Sequence, residues 1–398
     1  VSSVLDQVSN LPNVTYVKGF SCTDDVYEEA LAKEAVEACK QADKVVIFAG
    51  LPDSFESEGY DRRHMRLPDC QNRVIKEILA LQPDTIVVLH NGSPVEMPWL
   101  DDVKGLLEAY LGGQAVGEAV ADLLFGRVNP SGKLAETIPY KLSDNPSHLS
   151  FGDGENVEYR EGIFVGYRYY DAKEMPVAFP FGYGLSYTTF TYSNLKLDKK
   201  EMSDDGSITV TVDVTNTGTM EGREIVQLYV HDLTGAARRP LKELKGYEKL
   251  SLKPGETKTA SFTLDYRSFA WYNTKLQDWY AASGDYEILI AASSKDIRLS
   301  EKIHLTTKKV LPLNIHANTT LGELMSDPRT ERFGLEFKNR MDQLFGSGSE
   351  KDEQNENADK AVSDDMSMAM IASMPIRNVL NFGLYSKVEF DKLLNELN

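Results

Sequence analysis

Three carboxylates fall within six consecutive positions of one loop, Glu56, Glu58 and Asp61 in the run Phe55-Glu56-Ser57-Glu58-Gly59-Tyr60-Asp61-Arg62. A carboxyl group can donate or accept a proton during catalysis when a partly apolar surround raises its pKa toward the working pH. Gly59 accepts backbone conformations that other residues resist, so it can project Glu58 out of the loop. Arg62 can pair with Asp61 and fix the loop's shape through charge-assisted hydrogen bonds. An acidic loop in an acidic chain reads equally as a solvated face, so the residues around it must decide.

Other candidates have plainer readings. Asn91-Gly92-Ser93 could touch a ligand, but Gly and Pro94 also make it a stabilised turn. Trp99 could stack on a ligand or fill a core. His90 reads as a satisfied histidine near a sheet edge, and none of the six histidines has metal-ligand spacing. Tyr167, Tyr169 and Tyr170 could line an entrance or simply pack. Gly112-Gly113 and Gly117 match no phosphate-cradling pattern. No cofactor or metal is expected.

These residues need strands and helices to position them, and the 398-residue chain is long enough for two or three domains. Its apolar content of 41% and charged content of 26% exclude a wholly disordered or disulfide-dense chain. A formal charge of −18 disfavours nucleic acid and anionic lipid as partners, and no apolar run is long enough for a membrane helix. Cys22, Cys39 and Cys70 form no disulfide framework, which suits a reducing, cytoplasmic location. The chain opens at Val1 without an initiator Met or signal pattern, so a chain broken upstream is the expectation.

Residues 1–187 repeat an apolar strand, a Gly-rich loop and a helix. Asp25 with Glu28 can cap a helix whose Leu31, Ala35, Ala38 and Ala42 share one face. Val45–Ala49 and Thr85–Leu89 read as strands buried on both sides, Leu106–Tyr110 as a third, and Gln71–Leu81 and Ala115–Phe125 as helices. The expected fold is an α/β sandwich with a mostly parallel sheet, its ligand edge at the carboxyl ends of the strands. Residues 188–310 change to a period of two: Ile208, Val210, Val212 and Val214 alternate with polar residues, as do Val226, Leu228 and Val230, predicting a β-sandwich. Residues 311–398 read as a helical extension. Thr320 with Glu323, and Ser386 with Glu389, look like capping boxes, the second opening a helix striped by Phe390, Leu393, Leu394 and Leu397. Between the two, residues 346–365 are acidic and amide-rich and are expected to be a disordered linker.

The order of motifs identifies a family. Glu58-Gly59-Tyr60-Asp61-Arg62 followed by Leu67-Pro68 and Gln71 resembles the acid/base loop of family 3 glycoside hydrolases, particularly their β-glucosidase branch. Asn91 through Trp99, Leu111-Gly112-Gly113-Gln114 and Asn129 through Leu134 are similar to segments of that family's α/β-sandwich domain. Tyr159 through Asp171 and Phe179 through Tyr187 resemble its connection to a fibronectin type III-like domain, which the later strands match. Met374-Pro375-Ile376-Arg377 resembles a short C-terminal segment of some bacterial members.

The resemblance implies a retaining β-glucosidase with an Asp nucleophile and a Glu acid/base from different domains. The matching Glu is Glu58, with Glu56 as its rival, because the family's donor directly precedes the loop glycine. The nucleophile belongs to a (β/α)8 barrel, and no such eightfold array or nucleophile motif occurs in this chain. The implied partners are therefore a β-glucoside or oligosaccharide substrate and a barrel domain or chain bearing the nucleophile; a homo-oligomer is compatible with the sequence. The alternatives are a non-catalytic carbohydrate- or subunit-binding scaffold and a β-xylosidase or arabinosidase of the same family.

Overall fold

The computed structural model describes residues 1–152, 154–346 and 364–398. The chain forms two compact units, Val1–Trp271 with Ala281–Lys308, and Tyr272–Tyr280 with Lys309–Asn398.

The first unit begins with helices α1 (Val4–Val8) and α2 (Glu29–Cys39), strand β1 (Val46–Gly50), α3 (Asp69–Leu81), β2 (Ile86–His90), β3 (Gly105–Glu108), α4 (Val116–Leu124) and α5 (Tyr167–Ala172). The three strands form one parallel sheet in the order β1-β2-β3, pairing Val46 with Ile86 and Leu89 with Glu108. On one face, Ala32 and Ala35 of α2 and Val74, Ile75 and Ile78 of α3 close over Ile47, Ala49, Val87 and Leu89. On the other, Val4 of α1 and Val120 and Ala121 of α4 cover Val88.

Two details differ from the sequence reading. Strand β2 is buried on both faces, but β1 alternates, leaving Val46 and Phe48 more than a third exposed. It is an edge strand, and the helices of the second face cover only its neighbours. Helix α2 buries Ala32, Ala35 and Cys39 rather than the expected stripe, and Glu28 at its N-cap makes no side-chain cap. Asp25 instead accepts the Cys70 N–H at 2.7 Å, satisfying a free donor in the first turn of α3.

The same unit continues as a β-sandwich. Its strands are β4 (Phe190–Leu197), β5 (Glu201–Ser203), β6 (Ser207–Asn216), β7 (Gly222–Asp232), β8 (Glu243–Leu252) and β9 (Thr257–Asp265), followed by the turn helix α6 (Tyr266–Phe269). After α6 the chain passes into the second unit as a two-stranded ribbon, β10 (Trp271–Asn273) and β11 (Asp278–Tyr280), and then returns to the sandwich for its last two strands, β12 (Gly284–Ala291) and β13 (Ile297–Thr306). A five-stranded sheet, β5-β13-β12-β7-β8, faces a three-stranded one, β4-β6-β9. Ile208, Val210, Val212 and Val214 are fully buried, as their period of two requires. The sandwich is not wholly antiparallel, since β5 runs parallel to β13.

In the second unit the helices are α7 (Leu321–Ser326), α8 (Glu331–Gly346), α9 (Asp364–Ala372), α10 (Asn378–Asn381) and α11 (Lys387–Leu397). Both expected capping boxes form, Thr320 with Glu323 and Ser386 with Glu389. Phe390, Leu393 and Leu397 pack with Leu321, Leu324, Phe337, Ile376 and Val379, and Leu394 flanks them. The linker expected over 346–365 lies outside the described residues except at its ends, where Gly346 closes α8 and Asp364 opens α9. No helix among the described residues is long and apolar enough to cross a membrane.

Phe390 is 1% exposed, so Phe390→Ala should leave a cavity costing about 3–5 kcal/mol. Hydrogen exchange should show protection falling in α7 and α11 while β6 keeps its own; unchanged protection in α7 would contradict this packing.

Candidate active site

The acid/base candidate sits on the loop between β1 and α3, at the carboxyl end of a parallel strand, where side chains can face a ligand rather than the core. The loop leaves Gly50 in a tight turn, with the Phe55 and Glu56 N–H groups both donating to the Pro52 carbonyl. It ends at Leu67 and Pro68, both buried. Between these anchors Ser57 to Asp61 form an exposed apex.

Glu56 and Glu58 have opposite surroundings. The Glu56 carboxylate accepts the Gly92 N–H at 2.6 Å and the Ser93 hydroxyl at 2.6 Å, joining the loop after β1 to the turn after β2. Glu58 is exposed, and its carboxylate accepts no hydrogen bond among the described residues. Gly59 beside it has φ +100°, and a Cβ placed there would meet nothing within 4 Å. The glycine is therefore needed for its backbone conformation rather than for space, and that conformation turns the chain directly after Glu58.

The expected Asp61–Arg62 pair does not form. Asp61 is exposed, whereas Arg62 turns inward and donates to the Ser93 hydroxyl at 2.7 Å and the Pro94 carbonyl at 3.0 Å. Burial depresses the Arg62 pKa, and the neighbouring Glu56 and Glu96 carboxylates oppose that shift. A guanidinium in the turn finds two fixed acceptors and nearby negative charge, while Asp61 offers only a solvated partner. Farther along, the Glu96 N–H donates to the Met65 carbonyl at 2.8 Å, securing the second half of the loop.

Other candidates resolve into packing roles. Trp99 is 2% exposed and donates its indole N–H to Asn72 at 3.0 Å, so it belongs to the core. His90 stacks on Phe48 with ring centroids 6.4 Å apart, and burial lowers its pKa. Tyr167 stacks on Phe181 at 4.9 Å and accepts the Leu244 N–H, while Tyr170 is buried. The Asn91-Gly92-Ser93 turn serves as the clamp for Glu56. All three cysteines are free.

A feature missed in the sequence lies beside this clamp. Glu108, the last residue of β3, is largely buried, and burial together with the Glu136 and Glu56 charges pushes its carboxyl up to about 7 against the hydrogen bonds it accepts from Tyr110 and Asn91. Burial likewise raises the Glu136 carboxyl, with Tyr110 beside it. The available signal was a single acid inside the apolar run Leu106-Leu107-Glu108-Ala109.

Residues 2–187 match the Glycosyl hydrolase family 3 C-terminal domain, and residues 224–294 the Fibronectin type III-like domain. Thermostable beta-glucosidase B of Acetivibrio thermocellus is 48% identical over 97% of this chain and 50% of its own length. An exo-alpha-(1->6)-L-arabinopyranosidase of Bifidobacterium longum is 42% identical over 79% of this chain and 41% of its own length. The crystal structure of a Bifidobacterium adolescentis GH3 beta-glucosidase superposes with a TM-score of 0.75 and 40% identity, covering 83% of this chain and 48% of that one. The chain thus spans half or less of the length of these relatives.

Because the Glu108 carboxyl is harder to ionise folded than unfolded, it contributes stability that is complete below about pH 4.5 and lost as the pH rises to about 7. Wild type compared with Glu108→Gln should therefore lose thermal stability across that window and no further above it. A difference that is flat from pH 4 to 8 would show that Glu108 titrates normally.

Proposed function

Since the chain belongs to glycoside hydrolase family 3, carrying its C-terminal domain followed by a fibronectin type III-like domain, we propose that it is the part of a retaining β-glucosidase that supplies the general acid/base, Glu58. The observation carrying this reading is the contrast at the loop apex. Glu58 stands exposed, with no hydrogen-bond partner for its carboxylate among the described residues, before Gly59 on a loop pinned at both flanks, whereas Glu56 is committed to the neighbouring turn. An acid that must reach a substrate needs its carboxyl free and its backbone fixed.

In the first step Glu58 gives its proton to the glycosidic oxygen while an Asp on a partner (β/α)8 barrel attacks the anomeric carbon. The carbon–oxygen bond breaks and a glycosyl–Asp ester forms. In the second, Glu58 takes a proton from water, whose oxygen attacks the same carbon and frees the Asp. Retention requires the two carboxyl groups about 5–5.5 Å apart, so the loop apex must reach the barrel's site. The substrates on this reading are terminal non-reducing β-D-glucosyl residues. The choice of glucoside over xyloside or arabinoside falls to glycone-binding residues on the barrel. Free Cys22, Cys39 and Cys70 favour the reducing bacterial cytoplasm as the location.

The isolated 398-residue chain should hydrolyse no aryl β-glucoside, because a lone acid forms no ester intermediate. Measurable turnover by chain shown free of any barrel protein by mass spectrometry would overturn the division of labour.

With the barrel restored, Glu58→Ala should slow substrates with poor leaving groups about 10²–10⁴-fold and those with good ones far less. Azide, which needs no deprotonation, should rescue turnover and give the β-glycosyl azide. Glu56→Ala should lower all rates together without azide rescue, since it loosens the loop but leaves the acid. Rescue of Glu56→Ala and not of Glu58→Ala would move the assignment by two residues.

A further inference from the structure

A chain of hydrogen bonds, passing through the buried Asn91, links the end of β3 to the acid/base loop. One Glu108 carboxyl oxygen accepts the Tyr110 N–H at 3.0 Å, and the other accepts from the Asn91 side-chain amide at 3.4 Å. Asn91 is 1% exposed, and the same amide nitrogen donates to the Ser93 carbonyl at 2.9 Å. Ser93 and Gly92 in turn hold the Glu56 carboxylate, two residues before Glu58. A Cβ on Gly92 would stand 3.2 Å from the Glu56 carboxyl, so this approach is close. Tyr110 lies at φ +46°, a left-handed conformation rare for a large side chain, and its N–H is bound to Glu108. The turns after β2 and β3 are thus both fastened to one carboxyl group.

The charges around that group have one sign. Glu136 and Glu56 face it, and Tyr110 lies beside Glu136. On β2, burial keeps His90 toward its neutral form. Arg62, the neighbouring cation, faces Glu56 and Glu96. An ionised Glu108 would add a further negative charge to this cluster in a poorly solvated position.

We propose that Glu108 is a positioning residue for the acid/base loop: by accepting the Tyr110 N–H and the Asn91 amide it steadies the Gly92–Ser93 clamp on Glu56, and on losing its proton to solvent it grips both donors harder and firms the loop beneath Glu58. The midpoint near 7 places this change within the ordinary working range of an enzyme. The effect on turnover rests on the reading of Glu58 as the acid/base; the effect on the loop does not.

The Gly92 amide reports on the clamp directly. In the 398-residue chain its ¹H–¹⁵N resonance should move between pH 6 and 8 with one midpoint near 7, and the exchange protection factors of residues 53–62, corrected for the intrinsic pH dependence of exchange, should rise at least fivefold across it. Glu108→Gln should abolish both changes. A Gly92 resonance that stays flat in wild type, or a transition that persists in Glu108→Gln, would overturn the proposal. Should that variant fail to fold, Glu136→Gln, which removes one of the facing charges, should lower the wild-type midpoint by half a pH unit or more, and an unmoved midpoint would overturn it equally. In enzyme with the barrel restored, Glu108→Gln should shift the alkaline limb of kcat downward by about one pH unit with KM unchanged. If the Gly92 transition depends on Glu108 but the alkaline limb does not move, the positioning role stands and the assignment of Glu58 fails.

Discussion

The clamp of Gly92 and Ser93 on the Glu56 carboxylate is the contact on which the arrangement of the site depends. A parallel sheet brings the loop after β1 and the turn after β2 to the same edge, but it does not by itself fix either one. Two short hydrogen bonds from a backbone N–H and a hydroxyl to one carboxylate make that connection, and Arg62 braces it through the same serine. Bonds of this kind are stronger than neutral ones because the acceptor is charged. Their consequence is a loop with fixed flanks and an exposed apex, which is what the role proposed for Glu58 requires.

The rest of the first unit supports that edge from behind. Asp171, at 3% exposure, meets Lys242 at 2.6 Å and Lys295 at 2.9 Å, tying α5 to two separate segments of the β-sandwich. Gln227 on β7 donates to the Gly182 and Ala292 carbonyls, and Tyr167 of α5 packs against Tyr229 and Phe181. Lys133 meets Glu224 at 3.3 Å where both side chains are buried. Removing one partner from such a pair strands a buried charge, so these contacts are more costly to break than the exposed pairs elsewhere on the chain. The β-sandwich thereby becomes a rigid backing for the α/β domain rather than a second body on a tether.

The acidic character of the chain has a local expression at the site. Glu56, Glu108 and Glu136 gather at the carboxyl edge of a small sheet, and Arg62 is committed to one side of that group. Burial, more than any single charge, shifts Glu108. A protein of the same net charge with these three acids on its solvated surface would show no such perturbation, because water would screen them.

Much of this was legible in the residue order. Continuous apolar runs gave the parallel strands, the period of two gave the sandwich, and Thr320 with Glu323 and Ser386 with Glu389 gave helix starts, because each signal is local and each is satisfied within a few residues. The Glu58-Gly59 pair could be singled out for the same reason: the glycine's freedom is a property of the residue itself. The partners of Arg62 and Asp25 could not be read, since Ser93 and Cys70 compete for them from more than thirty positions away. The exposure of β1 and the raised Glu108 carboxyl depend on which helices cover which face and on how much water remains. The sequence by itself determined the elements, the motif and the candidate residue beside its glycine; only the tertiary structure decided which carboxylate is bound and which is exposed, because burial and hydrogen bonding arise where distant segments meet.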